Sequence, residues 1–226
     1  LIGDSIGMHW FPALQKSLDP MQWRILVLTK SSCSLVDEPF FYERIRKEFT
    51  LCVEWRDKAL AYLEVVEPDL IVAGASHTYD YSDEQWVQGS ARVLARLSAA
   101  ADRVAVIRST PVLPFDAHAC AGARSAFHAW IASESRCTFE LADVDEARER
   151  VHRLMQQAAT PFDNLQFIDL TDLVCPGNVC SARRNGTLVF SDTQHLNGRF
   201  VQAQALEVLV RLGLDQTNSS PTSDQR

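Results

Sequence analysis

Four stretches of this chain carry near-continuous rather than alternating apolar residues: Arg24–Leu28 (RILVL), Asp69–Ala73 (DLIVA), Arg103–Ile107 (RVAVI) and Leu165–Leu170 (LQFIDL). Continuous apolarity is the pattern of a strand covered on both faces. The Leu1-Ile2 stub reads as the end of a further strand. Between these runs, apolar residues recur at helical spacing from Trp55 to Val66, Glu84 to Ala100 and Val144 to Ala158. His9 to Leu18 reads as another helix, with Pro12 tolerable only in its first turn. Gly198 to Leu212 reads as the last helix. Strands alternating with helices predict a mainly parallel sheet sandwiched by helices, with functional residues in loops at the carboxyl ends of the strands. Cys175 to Phe190, with Pro176, Gly177, Asn185 and Gly186, reads as a looped hairpin. The polar tail from Asp215 to Arg226 reads as disordered. No repeat and no second domain is evident, so the pattern gives one domain over 1–214 and a tail over 215–226.

Composition narrows the class. The chain has 226 residues, 46% of them hydrophobic and 23% charged, which is enough for one domain with a proper core. A net charge of -7, without a Lys/Arg cluster, argues against nucleic acid. No apolar run is long enough to span a bilayer. The chain does not begin with Met and opens on what reads as the end of a strand. It is therefore expected to be a piece of something longer, its missing part N-terminal and carrying any targeting signal. Six cysteines stand as three neighbouring couples, giving Cys33–Cys52, Cys120–Cys137 and Cys175–Cys180 as the pairing by loop proximity among 15 alternatives. Metal binding is the rival reading, although no Cys-x-x-Cys occurs, and six reduced buried thiols are the plain one. Disulfides would place the domain in an oxidising compartment.

The chemistry-bearing residues lie at the two ends: Gly3-Asp4-Ser5 after the first strand, and Asp192-Thr193-Gln194-His195 before the last helix. A serine hydroxyl is a weak nucleophile and needs a base within hydrogen-bond reach. His195 fits that role, and Asp192 fits the group that fixes the imidazole tautomer and stabilises the imidazolium. The plain alternative is a GDS turn plus an ordinary helix cap at Asp192. Acyl transfer also needs donors for an oxyanion, and the Ser5 amide at a helix start is a natural one. His77 reads as a structural or substrate-contacting residue. Trp10, Tyr79, Tyr81 and Trp86 form a candidate wall for stacking on a sugar, with burial in a helix face as the alternative for Trp86. Pro111-Val112-Leu113-Pro114 reads as a stiffened loop near the same crevice.

Taken together and in this order, the GDS and Asp-x-x-His motifs resemble those of the SGNH (GDSL-like) hydrolases. The resemblance implies a three-layer α/β/α sandwich around a mainly parallel five-stranded sheet, flavodoxin-like, with Ser5, Asp192 and His195 as a catalytic triad. Such enzymes usually take further oxyanion donors from a Gly after the second strand and an Asn in a Gly-x-Asn-Asp block after the third. Here the first loop reads Thr29-Lys30-Ser31-Ser32-Cys33-Ser34, without a Gly. The second reads Ala73-Gly74-Ala75-Ser76-His77-Thr78-Tyr79, so Gly74 falls at the block's Gly and Ser76 at its Asn. The oxyanion candidates are accordingly Ser5, Gly74 and Ser76, with the Ser32 amide as a further option. Substrate-contact candidates are Trp10, His77 and Tyr79.

These departures, with Ser109-Thr110-Pro111 before Cys120 and with Cys175 to Cys180 leading into Ser191-Asp192, form a pattern. It looks like the periplasmic SGNH domain fused behind integral-membrane acyltransferase-three proteins, which O-acetylate bacterial surface polysaccharides. That likeness implies an N-terminal membrane acyltransferase domain as partner, a polysaccharide acceptor, and an acyl group from a donor such as acetyl-CoA. It implies neither a metal nor a free cofactor for the SGNH domain itself. An acetyl esterase using the same triad and a non-catalytic glycan-binding module are the alternatives.

Overall fold

The apolar runs lie side by side in a computed structural model that describes residues 1–122 and 137–214. The tail expected to be disordered falls outside those residues. Strand β1 (Ile2–Gly3) runs directly into α1 (Ser5–Met8) and α2 (Phe11–Ser17), and β2 (Leu28–Thr29) follows. A small hairpin, β3 (Phe41–Tyr42) with β4 (Lys47–Glu48), precedes α3 (Thr50–Val66). Then come β5 (Leu70–Gly74), α4 (Asp83–Ala100), β6 (Arg103–Ile107), α5 (Ala117–Gly122) and β7 (Thr138–Glu140). The chain continues through α6 (Glu146–Ala159), β8 (Leu165–Ile168) and α7 (Thr171–Val174) to β9 (Val179–Ser181), β10 (Arg183–Arg184) and β11 (Thr187–Leu188). It closes with α8 (Gly198–Ala203) and α9 (Ala205–Arg211).

Five strands form one parallel sheet in the order β2-β1-β5-β6-β8. This is the doubly wound arrangement in which the chain starts in the interior and winds outward both ways. Residues alternate between its two faces. Ile71 and Ala73 of β5, with Val104 and Val106 of β6, pack under Leu60 and Leu63 of α3 and Val93, Leu94 and Leu97 of α4. Val72, Ala105 and Ile107 pack on the other side with Trp10 and Leu14 of the first helices and Phe200, Val201, Val208 and Leu209 of the last two. Because both faces are covered, the strands need no polar alternation, which is why they read as continuous apolar runs.

The expected strand at Arg24–Leu28 joins the ladder only at Leu28–Thr29. Among the described residues it pairs with β1, with bonds from Leu28 N to Leu1 O (2.9 Å) and from Lys30 N to Gly3 O (3.0 Å), and the Leu1 amino group donates to Leu26 O (2.8 Å). The helix expected from Gly198 to Leu212 is divided at Gln204, and both halves lie against α2. Pro12 sits in the first turn of α2, as its missing N–H requires. Within the looped stretch, Asn185 and Gly186 have positive φ and turn β10 into β11. The cysteines are joined as Cys33–Cys52, Cys120–Cys137 and Cys175–Cys180.

Candidate active site

The carboxyl end of β1 lies in the middle of the sheet, between β2 and β5, where the winding direction reverses. Two glycines let it press against β5. A Cβ on Gly3 (φ +154) would lie 1.8 Å from the Gly74 carbonyl oxygen, and one on Gly7 would lie 2.3 Å from it. Between them Asp4 caps α1, accepting from the amides of Ile6 (2.8 Å) and Gly7 (3.3 Å) on Oδ1. Its Oδ2 accepts from the Ser76 amide (2.9 Å) and the Tyr79 hydroxyl (2.8 Å). Asp4 is only 1% exposed, and burial raises its carboxyl above the ordinary aspartate range, against the pull of these four donors. One carboxylate therefore joins the helix carrying Ser5 to the loop after β5.

Ser5 is the first residue of α1 and is partly exposed. Its Oγ lies 2.8 Å from His195 Nε2, and His195 Nδ1 lies 2.7 Å from Asp192 Oδ2. The carboxylate can only accept there, so Nδ1 carries the proton and Nε2 is left to accept from the Ser5 hydroxyl. Asp192 Oδ1 also accepts the amides of Gln194 and His195, each at 2.7 Å. Burial pushes the Asp192 carboxyl up, but these hydrogen bonds and the His195 ring outweigh it and hold the group below its usual range. The turn is braced from outside: Leu113 N donates to Thr193 O (2.7 Å) and Thr110 Oγ1 to Gln194 O (3.2 Å). The stiffened Pro111–Pro114 loop thus abuts the site as expected.

The other sequence candidates fall differently. Trp10 is 1% exposed and belongs to the core, so it offers no ring to a substrate. Trp86 and Tyr81 are buried with it in kind, and the expected sugar-stacking wall is absent at these positions. Aromatic identity alone could not say that these side chains pack inward. Tyr79 commits its hydroxyl to Asp4 and packs its ring against Phe40. His77 is buried, with Nδ1 2.9 Å from Ser109 Oγ, and burial followed by the nearby Arg148 guanidinium lowers its pKa to about 4. Gly74 ends β5 between Gly3 and Ile107 and serves close packing. The Ser76 hydroxyl accepts from Gln194 Nε2 (2.5 Å) and Thr78 N (3.2 Å) and meets Thr78 Oγ1 at 2.8 Å. The hydroxyl is thus already engaged by three neighbours, Gln194 Nε2, Thr78 N and Thr78 Oγ1. Ser32 takes φ 57, the left-handed backbone that a glycine adopts at little cost, with Oγ 3.0 Å from Tyr42 OH.

Two neighbours of the triad were not singled out in the sequence. His9 follows Ser5 by one helical turn and accepts the Leu196 amide on Nδ1 (3.4 Å). Burial, reinforced by the His195 ring, lowers its pKa to about 3, so it stays neutral beside the triad. The i, i+4 spacing from Ser5 is the signal that could have found it. Gln194 reaches across to Ser76 and had no local signal at all. Among the described residues, no group of three or more His, Cys, Asp and Glu side chains is placed to hold a metal ion, and no helix is long and apolar enough to cross a membrane.

A parallel α/β sheet with serine, histidine and aspartate in contact at its carboxyl edge defines the serine-hydrolase-like class of α/β proteins. Within that class, the chain belongs to the family of SGNH domains fused to AT3 domains, whose family model matches residues 1–205. Among solved structures it is similar to the periplasmic domain of the Salmonella ser. Paratyphi A lipopolysaccharide acetyltransferase, at a TM-score of 0.67 and 12% identity, over 94% of this chain and 80% of that one. At that identity the likeness shows a shared fold. No curated protein matched the sequence.

Proposed function

We propose that this domain transfers an acetyl group to a hydroxyl of a bacterial surface polysaccharide, such as lipopolysaccharide O-antigen, through an ester on Ser5. The observation that carries the reading is the unbroken contact chain Ser5–His195–Asp192, at 2.8 and 2.7 Å. Family membership and the lipopolysaccharide acetyltransferase whose periplasmic domain shares this fold support the choice of an acetyl group and a polysaccharide acceptor. In this reading the domain works in the periplasm beside a membrane acyltransferase domain, which passes on an acyl group from a donor such as acetyl-CoA.

The residues then act as follows. Ser5 Oγ attacks the acyl carbonyl carbon while His195 Nε2 takes the hydroxyl proton. Asp192, held ionised, stabilises the imidazolium without taking its proton. The Ser5 amide at the start of α1 donates to the developing oxyanion. Collapse expels the donor's leaving group, which leaves with the proton from His195. A sugar hydroxyl next attacks the Ser5 ester, gives its proton to His195, and departs acetylated as Ser5 Oγ recovers that proton.

One observation favours a second reading, acetyl ester hydrolysis. The His195 and Asp192 side chains are 39% and 45% exposed, so water reaches the same base that would activate a sugar hydroxyl. The test is p-nitrophenyl acetate turnover and fluorophosphonate labelling by the chain and its Ser5→Ala and His195→Ala variants, with and without lipopolysaccharide-derived oligosaccharide. Labelling at Ser5, turnover lost by at least about 10³-fold in both variants, and acetate diverted to sugar establish the transferase. Release of free acetate that ignores the oligosaccharide establishes the esterase. Neither labelling nor turnover, with the fold intact, leaves a glycan-binding module and overturns both.

A further inference from the structure

We infer that the Gln194 carboxamide is the second oxyanion donor, doing from the Asp-x-x-His turn what an asparagine after β5 does in related sites. The inference rests on the acyl-Ser5 reading above. At position 76 the Ser76 amide is bound to Asp4 Oδ2, and its hydroxyl is engaged with Thr78 Oγ1 and the Thr78 amide. What reaches that position is Gln194 Nε2, 2.5 Å from Ser76 Oγ across 118 positions of sequence. A carboxamide nitrogen bears two N–H groups, and Ser76 accepts one of them. The other remains for a charge that develops only during reaction.

The backbone that carries the carboxamide is also held. The Gln194 N–H is on Asp192 Oδ1, the Gln194 main-chain carbonyl takes the Thr110 hydroxyl, and the preceding carbonyl takes the Leu113 amide. The next residue along is His195, whose Nε2 touches Ser5. On the opposite side, the Ser76 amide hangs from Asp4, the residue before Ser5. Gln194 therefore closes a ring of contacts Ser5–Asp4–Ser76–Gln194–His195, with the nucleophile and base at its ends. A donor fixed before the reaction needs no reorganisation as charge appears, which is the condition for oxyanion stabilisation.

The experiment compares wild type, Gln194→Met and Gln194→Leu for Ser5-dependent p-nitrophenyl acetate turnover, pH–rate profile and Ser5 phosphonylation. Both substitutions remove the carboxamide donors without placing a charge beside His195, so the acidic limb can be read in either. The expected result is a fall in kcat of about 10²-fold or more with KM little changed, while the acidic limb of the profile stays at its wild-type pH. A merely structural role would act through the Asp192–His195 turn and shift that limb. Unchanged kcat, or a fall accompanied by a shifted limb, overturns the inference and leaves the acyl-Ser5 reading standing. A wild-type chain with neither turnover nor phosphonylation at Ser5 overturns both.

Discussion

At the scale of residues, the site depends on burial as much as on the triad. His9 and His77 are both buried, with pKa values lowered to about 3 and about 4, against about 6.5 for an unfolded histidine. Above that value both states are neutral and neither residue affects stability. Below it, the unfolded chain binds protons that the folded chain refuses, so stability drains as the pH falls towards 4. Urea unfolding between pH 7 and 4.5 should show a midpoint that falls on acidification. His77→Gln should make that slope shallower by up to about 1.4 kcal/mol per pH unit. The contacts of Ser5, His195 and Asp192 were legible in sequence because the proposed acyl transfer needs a nucleophile, a base and its orienter, which short motifs can record. The Asp4 bridge to Ser76 and Tyr79 was not, since it joins positions that only the sheet brings together.

At the scale of elements, the decisive contact is the one where α1 lies on the end of β5. Gly7 leaves no room there: a Cβ would stand 2.3 Å from a backbone oxygen that has no freedom to move. Gly7→Ala should therefore destabilise the domain by about 1–3 kcal/mol, as overpacking does. It should also weaken Ser5 phosphonylation more than its unfolding midpoint alone accounts for, because α1 carries Ser5. Differential scanning calorimetry and labelling rates on the same sample check both. Strands β5 and β6 could be read from sequence because both of their faces are buried. Of the apolar run at Arg24–Leu28, the ladder with β1 takes in Leu28, and the Leu1 amino group bonds to the Leu26 carbonyl within it. The split of the last helix at Gln204 was silent in sequence, with neither proline nor glycine to mark it.

At the scale of the whole molecule, three disulfides sit outside the main sheet and close loops with sequence separations of 19, 17 and 5 residues. The entropic benefit of a cross-link grows with the loop it closes. Converting Cys33 and Cys52 to Ser should lower stability by about 2–4 kcal/mol, and converting Cys175 and Cys180 should lower it less. Melting temperatures of the two double variants, each against wild type, give the order. The pairing was legible because the partners are neighbours in sequence. The contact between Ser5 and His195 is the reverse case, joining residues 190 positions apart. During synthesis, Ser5 emerges long before His195. In the proposed mechanism a half-made chain lacks the base that would arm Ser5, so its reactivity would wait until the last segment has docked.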